Sequence, residues 1–143
     1  MRVFIADDQR KVRSALKLLL EQDPETSIVG EAVTAEDLVA QVRAARADLV
    51  LLDWELPGLH DANPLLVALR ALCPRLSVVA LSGRPEAGQA ALAAGVDAFV
   101  SKGDPPERLL AAVNDCRREQ QGATNEEKQC LEKLRETQSF LVT

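Results

Sequence analysis

The 143-residue sequence predicts an α/β fold: a doubly wound parallel sheet of five strands, with helices on both faces and a helical extension at the C-terminus. Three observations point there. Short, continuous apolar runs recur along the chain, and such runs mean burial on both faces of a parallel sheet. Segments with apolar residues at helical spacing separate them. Acidic, hydroxyl and basic residues stand directly after four of the runs, which is where an open α/β sheet gathers its ligands.

The first strand is read at residues 3–6 and a weaker second at 26–29. The third, 48–52, is Asp-Leu-Val-Leu-Leu, with a core of buried-strand type; the fourth spans 76–81 and a short fifth 98–100. Between them, Val12, Leu16, Leu19 and Leu20 fall at helical spacing until Asp23-Pro24 ends the run. A helix over 35–46 carries Leu38, Val39 and Val42 on one face, with Thr34 and Asp37 as its N-cap signature. Helices over 64–72 and 85–94 are Ala/Leu-rich, and Gly95 stands at the C-cap position of the second. Pro105-Pro106 opens the last of the five helices, where a missing N–H costs little, and Leu109, Leu110 and Val113 follow.

Residues 1–119 therefore read as one domain with a full core. Residues 120–143 read as a polar linker (Gln120 to Asn125) and a helical tail with a partial stripe of Leu131, Leu134 and Leu141, interrupted by Gln138. Net charge is −5, which argues against a basic nucleic-acid surface across the domain. No apolar run approaches the roughly 18–20 residues that span a bilayer. The N-terminus turns acidic at Asp7-Asp8, too soon for a signal peptide, so a cytoplasmic protein is expected. Cys73, Cys116 and Cys130 lack CxxC spacing and read as buried or half-buried free thiols.

Asp7 and Asp8 follow the first strand, Asp53 the third, Ser82 the fourth and Lys102 the fifth. Singly, each has an ordinary reading: a helix cap, a solvated turn, a surface lysine. Together they are complementary. Gathered carboxylates repel and call for a cation, and Mg2+ takes oxygen ligands. A carboxylate can accept a phosphoryl group, and phosphoryl transfer asks the protein mainly to position groups and neutralise charge. Asp53 ends the central strand, with the acidic pair to one side and Ser82 to the other.

At these residues the chain resembles a bacterial response-regulator receiver domain, over about residues 1–119. The matching blocks are Ile5-Ala6-Asp7-Asp8, Leu49-Val50-Leu51-Leu52-Asp53-Trp54-Glu55-Leu56-Pro57-Gly58, Val79-Ala80-Leu81-Ser82 and Gly95-Val96-Asp97-Ala98-Phe99-Val100-Ser101-Lys102. The resemblance implies the flavodoxin-like, chemotaxis-receiver strand order 2-1-3-4-5. It implies Asp53 as phosphoacceptor and Mg2+ (or Mn2+) on Asp7, Asp8, Asp53 and the backbone carbonyl of Glu55. Ser82 and Lys102 would hold phosphoryl oxygens, Ser82 and Phe99 would switch, and Glu55 and Arg84 would tune the rate, paired across the site. The donor would be a histidine kinase or phosphotransfer protein. The chain would be no enzyme beyond its own phosphorylation and dephosphorylation. The surface around the fourth helix, fifth strand and fifth helix would control an output domain or partner, a homodimer being one outcome. Nucleic acid would be met only through an output domain absent from this chain.

Two departures stand out. His60-Asp61 occupy positions where the family usually shows an acidic or amide residue and Gly, so the loop after Asp53 is expected to take a different path. Gly103 stands where many members have Pro, which bears on the last loop. Thr124, Glu127, Leu131 and Leu134 have the spacing of the opening helix of a DNA-binding output domain. A chain cut from a longer regulator and a stand-alone receiver with a docking tail both fit. Two other readings remain open: an unphosphorylated pseudo-receiver serving as an interaction module, and a phosphatase with an aspartyl intermediate. The second is weak, because no cap domain fits in this length.

Overall fold

The computed structural model describes residues 1–141, with the side chains of 123–128, 131 and 138–141 set aside. Five parallel strands form one sheet: β1 (Arg2–Ala6), β2 (Ser27–Ala32), β3 (Leu49–Asp53), β4 (Ser77–Ser82) and β5 (Ala98–Ser101), in the order β2-β1-β3-β4-β5. The expected order is borne out. The helices are α1 (Arg10–Leu20), α2 (Leu38–Ala44), α3 (Ala62–Leu72), α4 (Gly88–Ala94) and α5 (Pro106–Leu141).

Every residue of β3 and β4 is buried, which is why both read as unbroken apolar runs. Period-two alternation sends their side chains to two separate cores. Phe4, Ala6, Val50, Leu52, Val78 and Ala80 pack with Leu38 and Val42 of α2, Leu66 and Leu69 of α3 and Ala91 of α4. Val3, Ile5, Leu49, Leu51, Val79, Leu81 and Val100 pack with Leu16 and Leu20 of α1 and Leu109, Val113 and Cys116 of α5. Helices thus cover both faces of the sheet. The chain reverses its direction of winding between β1 and β3, which leaves a crevice at their carboxyl ends.

Four local expectations change. The helix expected over 35–46 begins at Leu38, and Asp37 before it adopts a left-handed φ of 57°. The Ala35 N–H instead donates to the Pro57 carbonyl (2.8 Å), tying the segment to the loop after β3. The helix expected over 85–94 is a 3-10 turn, Pro85–Ala87, followed by α4, with Gly95 in the expected left-handed C-cap at φ 107°. Helix α5 runs through residues 120–125 without a break: Gln120, Gln121 and Ala123 are good helix formers, and Gly122 between them does not end it. Cys130 is exposed, unlike half-buried Cys73 and buried Cys116, and all three are free thiols.

Helix α5 is tied to the amino edge of the sheet. Arg117 Nη1 lies 2.7 Å from Asp23 Oδ2, and its Nη2 donates to Thr26 Oγ1 (2.9 Å). Gln120 Nε2 donates to the Asp48 carbonyl (2.7 Å) and to Ser77 Oγ (2.8 Å). Leu134 is 57% exposed, while Thr124, Glu127, Leu131, Gln138 and Leu141 lie outside the described side chains. Among the described residues, no helix is long and apolar enough to cross a membrane.

Candidate functional site

Strand register brings the chemistry-bearing residues to one level. Ala6 pairs with Leu52, so Asp7 and Asp53 are neighbours one step further along. Asp53 pairs with Leu81, and Ser82 with Ser101, and the Lys102 N–H donates to the Ser82 carbonyl (2.8 Å). All five predicted residues, Asp7, Asp8, Asp53, Ser82 and Lys102, thus stand at the carboxyl edge.

Each carboxylate is held by its own loop. Asp7, 1% exposed, accepts the Gln9 N–H through Oδ1 (2.8 Å), and its backbone N–H donates to the Ala32 carbonyl (3.0 Å). Asp53, 2% exposed, accepts the Glu55 N–H through Oδ1 (3.0 Å). Asp8 is exposed at the mouth of the crevice. Lys102 Nζ reaches between the two buried acids, 2.8 Å from Asp7 Oδ2 and 3.4 Å from Asp53 Oδ1.

One oxygen each from Asp7, Asp8 and Asp53 lies within 4.8 Å of the other two. Lys102 supplies one positive charge against these three carboxylates. The electrostatic result appears at Asp53, whose pKa is pushed from 3.8 up to about 6. Burial is the largest cause; the Glu55 N–H opposes it, the Asp7 charge adds to it, and Lys102 offsets part. Lys102 is affected the other way. Burial works against its charge, but Asp7 and Asp53 outweigh burial and raise its pKa. An all-oxygen set with excess negative charge fits a hard divalent cation such as Mg2+.

On the far side of Asp53, Glu55 and Arg84 do pair, Arg84 Nε lying 3.1 Å from Glu55 Oε1. The same Glu55 oxygen accepts the hydroxyl of buried Ser82. The Arg84 backbone N–H donates to Ser82 Oγ (3.0 Å). Burial works to raise the Glu55 pKa, but the bonds from Ser82 and Arg84 prevail and lower it. Asp8, Gln9, Asp53, Glu55, Gly83, Arg84 and Lys102 line one open cleft.

Phe99 stands away from the acids, half-buried on β5 and packed on Gly88 of α4. A Cβ at Gly88 would meet Phe99 Cδ1 at 2.9 Å, so the ring has this position only because residue 88 has no side chain. After Asp53 the loop turns at Gly58 (φ 87°). His60 is exposed, and Asp61 caps α3 by accepting the Asn63 N–H (3.0 Å). After Lys102, Asp104 rather than Gly103 shapes the loop, its Oδ2 accepting the Ser101 N–H (3.0 Å).

Two contributions were missed from sequence. Arg13 donates from Nη1 to the Asp7 carbonyl (2.9 Å) while its Nε pairs with Glu31 of β2 (3.2 Å), fixing the acidic loop from beneath. The Ser82–Glu55 bond was also missed. Arg13 lies six residues after Asp7, on the helix that follows it, and that spacing was the one available signal.

Comparison with known proteins agrees with this fold. The family described as "Response regulator receiver domain" matches residues 3–114. The nitrate/nitrite response regulator protein NarL of Escherichia coli K12 is 30% identical over 113 residues, 78% of this chain and 52% of that protein. The DNA-binding transcriptional activator DevR/DosR of Mycobacterium tuberculosis is 36% identical over 118 residues, 80% of this chain and 54% of that protein. The solved signal receiver domain of the putative response regulator NarL from Mycobacterium tuberculosis superposes with a TM-score of 0.71 at 27% identity, covering 82% of this chain and 95% of that one. The isolated receiver of RcsB from Salmonella enterica serovar Typhimurium, solved with the phosphomimetic BeF3−, gives 0.68 at 27% identity, covering 80% and 88%. The chain spans about half the length of the curated relatives it matches.

Proposed function

The chain belongs to the response-regulator receiver family, and from that premise we propose that it is a phosphorylation-dependent signalling switch with Asp53 as phosphoacceptor. The observation that carries this reading is the burial of Asp53 at the end of β3, between two further acids and a lysine. The donor is a histidine kinase or a phosphotransfer protein. An Asp53 carboxylate oxygen forms the new O–P bond as the donor's P–N bond breaks, and the freed imidazole leaves with its electron pair. Lys102, already beside Asp53, meets negative charge on the transferring oxygens as a point charge. The Ser82 hydroxyl, buried at the end of β4, donates to another oxygen. Asp7, Asp8, Asp53 and the Glu55 carbonyl would hold Mg2+ or Mn2+, which supplies neutralising charge when bound.

The acyl phosphate adds roughly −1.5 to −2 charge to a crevice already rich in acids. Ser82 moves toward it, and Phe99 and α4 follow, which alters the face formed by α4, β5 and α5. That face controls an output domain, a partner or a second copy of the chain, in the cytoplasm. The protein turns over no separate substrate; the reactions are its own phosphorylation and dephosphorylation, with Glu55 and Arg84 tuning the second. Residues 1–119 form the receiver, and 120–143 a helical tail that serves as a link to an output domain or as a docking segment.

Incubation with Mg2+ and acetyl phosphate tests the reading. A stoichiometric, acid-stable and base-labile label that disappears in Asp53→Asn is expected. No label on the intact protein would favour a receiver used only as an interaction module. Steady turnover of unrelated phosphoesters would favour a phosphatase.

A further inference from the structure

A hydroxyl carries one proton, so Ser82 can donate one hydrogen bond at a time. In this structure that proton is committed. The Arg84 N–H already donates into Ser82 Oγ (3.0 Å), and the Glu55 carboxylate stands as the acceptor on its other side. The remaining bond therefore runs from Ser82 Oγ–H to Glu55 Oε1. The same oxygen takes Arg84 Nε–H (3.1 Å). One carboxylate oxygen thus gathers a hydroxyl and a guanidinium at the mouth of the crevice that holds Asp53.

We propose that the Glu55 carboxylate is an internal anion, which in the resting protein occupies the Ser82 and Arg84 donors that a phosphoryl oxygen would otherwise take. Glu55 is then a positioning residue that competes with the phosphoryl group, acting through Ser82. This rests on the phosphoacceptor reading and deepens it. Phosphorylation must break the Ser82–Glu55 bond, and the incoming negative charge helps by repelling Glu55. The carboxylate stands between the empty and loaded states as a ligand to be displaced, so the switch turns only for an anion that offers Ser82 a better bond. Lys102 stays outside this competition, because its contacts are to Asp7 and Asp53.

The test is the binding of BeF3− at saturating Mg2+, followed by 19F NMR of the bound anion. Five proteins are compared: the intact chain, Glu55→Ala, Glu55→Gln, the Ser82→Ala/Arg84→Ala double variant, and the triple variant that adds Glu55→Ala to it. Losing a competitor that holds charge-assisted hydrogen bonds should tighten BeF3− by about tenfold in Glu55→Ala. With both donors gone there is nothing to compete for, and adding Glu55→Ala should change affinity less than about twofold. Glu55→Gln, which can still accept from Ser82 without the charge, should fall between the intact chain and Glu55→Ala. An equal gain in both backgrounds would mean that Glu55 acts by charge repulsion alone, and the inference is overturned. So it is if Glu55→Ala gains nothing. If the intact chain fails to bind BeF3− with Mg2+, the phosphoacceptor reading itself falls and takes this inference with it.

Discussion

At the carboxyl edge of the sheet Asp7, Asp8 and Asp53 share the single charge of Lys102, whereas at the amino edge, among the described residues, opposite charges and polar partners are paired, with Arg117 Nε as the exception. There Arg117 meets Asp23 and Thr26, Gln120 meets Asp48 and Ser77, and the Arg2 N–H donates to Asp48 Oδ2 (2.8 Å). The same strands end in both places, so the contrast belongs to the side chains. One edge is arranged to hold the fold together. The other carries an electrostatic load that a cation or a proton relieves. Stability given up at one end is what makes that end responsive.

The largest effect that should break this contrast comes from removing the load. The Asp53 pKa in the folded protein, about 6, lies above the ordinary carboxylate value of 3.8, so the folded state binds the extra proton. The contribution of Asp53 to stability is therefore most favourable below about pH 4 and falls as pH rises through the window from about 4 to 6. Above that window the ionised Asp53 costs about 1–3 kcal/mol. Asp53→Asn should be more stable than the intact protein by this amount at pH 7.5 without Mg2+, read from urea midpoints. The gain should vanish below pH 4 and shrink when Mg2+ is added to the intact protein. A gain that is the same at pH 4 and pH 7.5 would mean that Asp53 carries no load.

Gln120→Ala tests the opposite edge. It removes donors to the Asp48 carbonyl and Ser77 Oγ, so a loss of about 1–2 kcal/mol is expected in the same urea measurement. This loss should be flat from pH 4 to 8 and leave the Mg2+ response unaltered. The smallest effect sharpens the contrast within the carboxyl edge itself. Arg84→Ala removes an ion pair whose members are 63% and 37% exposed, which contributes little to stability. Its expected signature is a dephosphorylation rate changed by about two- to fivefold, measured from the decay of labelled Asp53. An unchanged rate would remove Arg84 from the chemistry.

How legible each feature was follows from how local its cause is. Strands β3 and β4 announce themselves because both faces are buried and, Asp53 apart, every side chain is apolar or small. The convergence of Asp7, Asp53, Ser82 and Lys102 was readable because a parallel sheet sends every strand's carboxyl end to one edge. The start of α2 was misread, since Thr34 and Asp37 look like a cap; the tie from Ala35 to Pro57 that governs the segment is made by a distant loop. The break expected near 120 was a judgement from polarity, yet the residues there continue α5. Gln120 reads as part of a polar linker and Arg117 gives no signal, because their partners lie 72 and 91 positions away. The Ser82–Glu55 bond depends on two side-chain rotamers, and neither leaves a mark in the sequence.

Helix α5 carries Gly122 two residues past the anchor at Gln120, and among the described residues nothing besides its neighbours and the helix's own backbone comes within 4 Å of where its Cβ would stand. A glycine inside a helix gives up about 1 kcal/mol relative to alanine, and nothing packs there to make up the difference. A rod loaded from both ends yields at its least supported cross-section. A bend in α5 is therefore cheapest at this joint, just past the Gln120 anchor and away from the acid crevice.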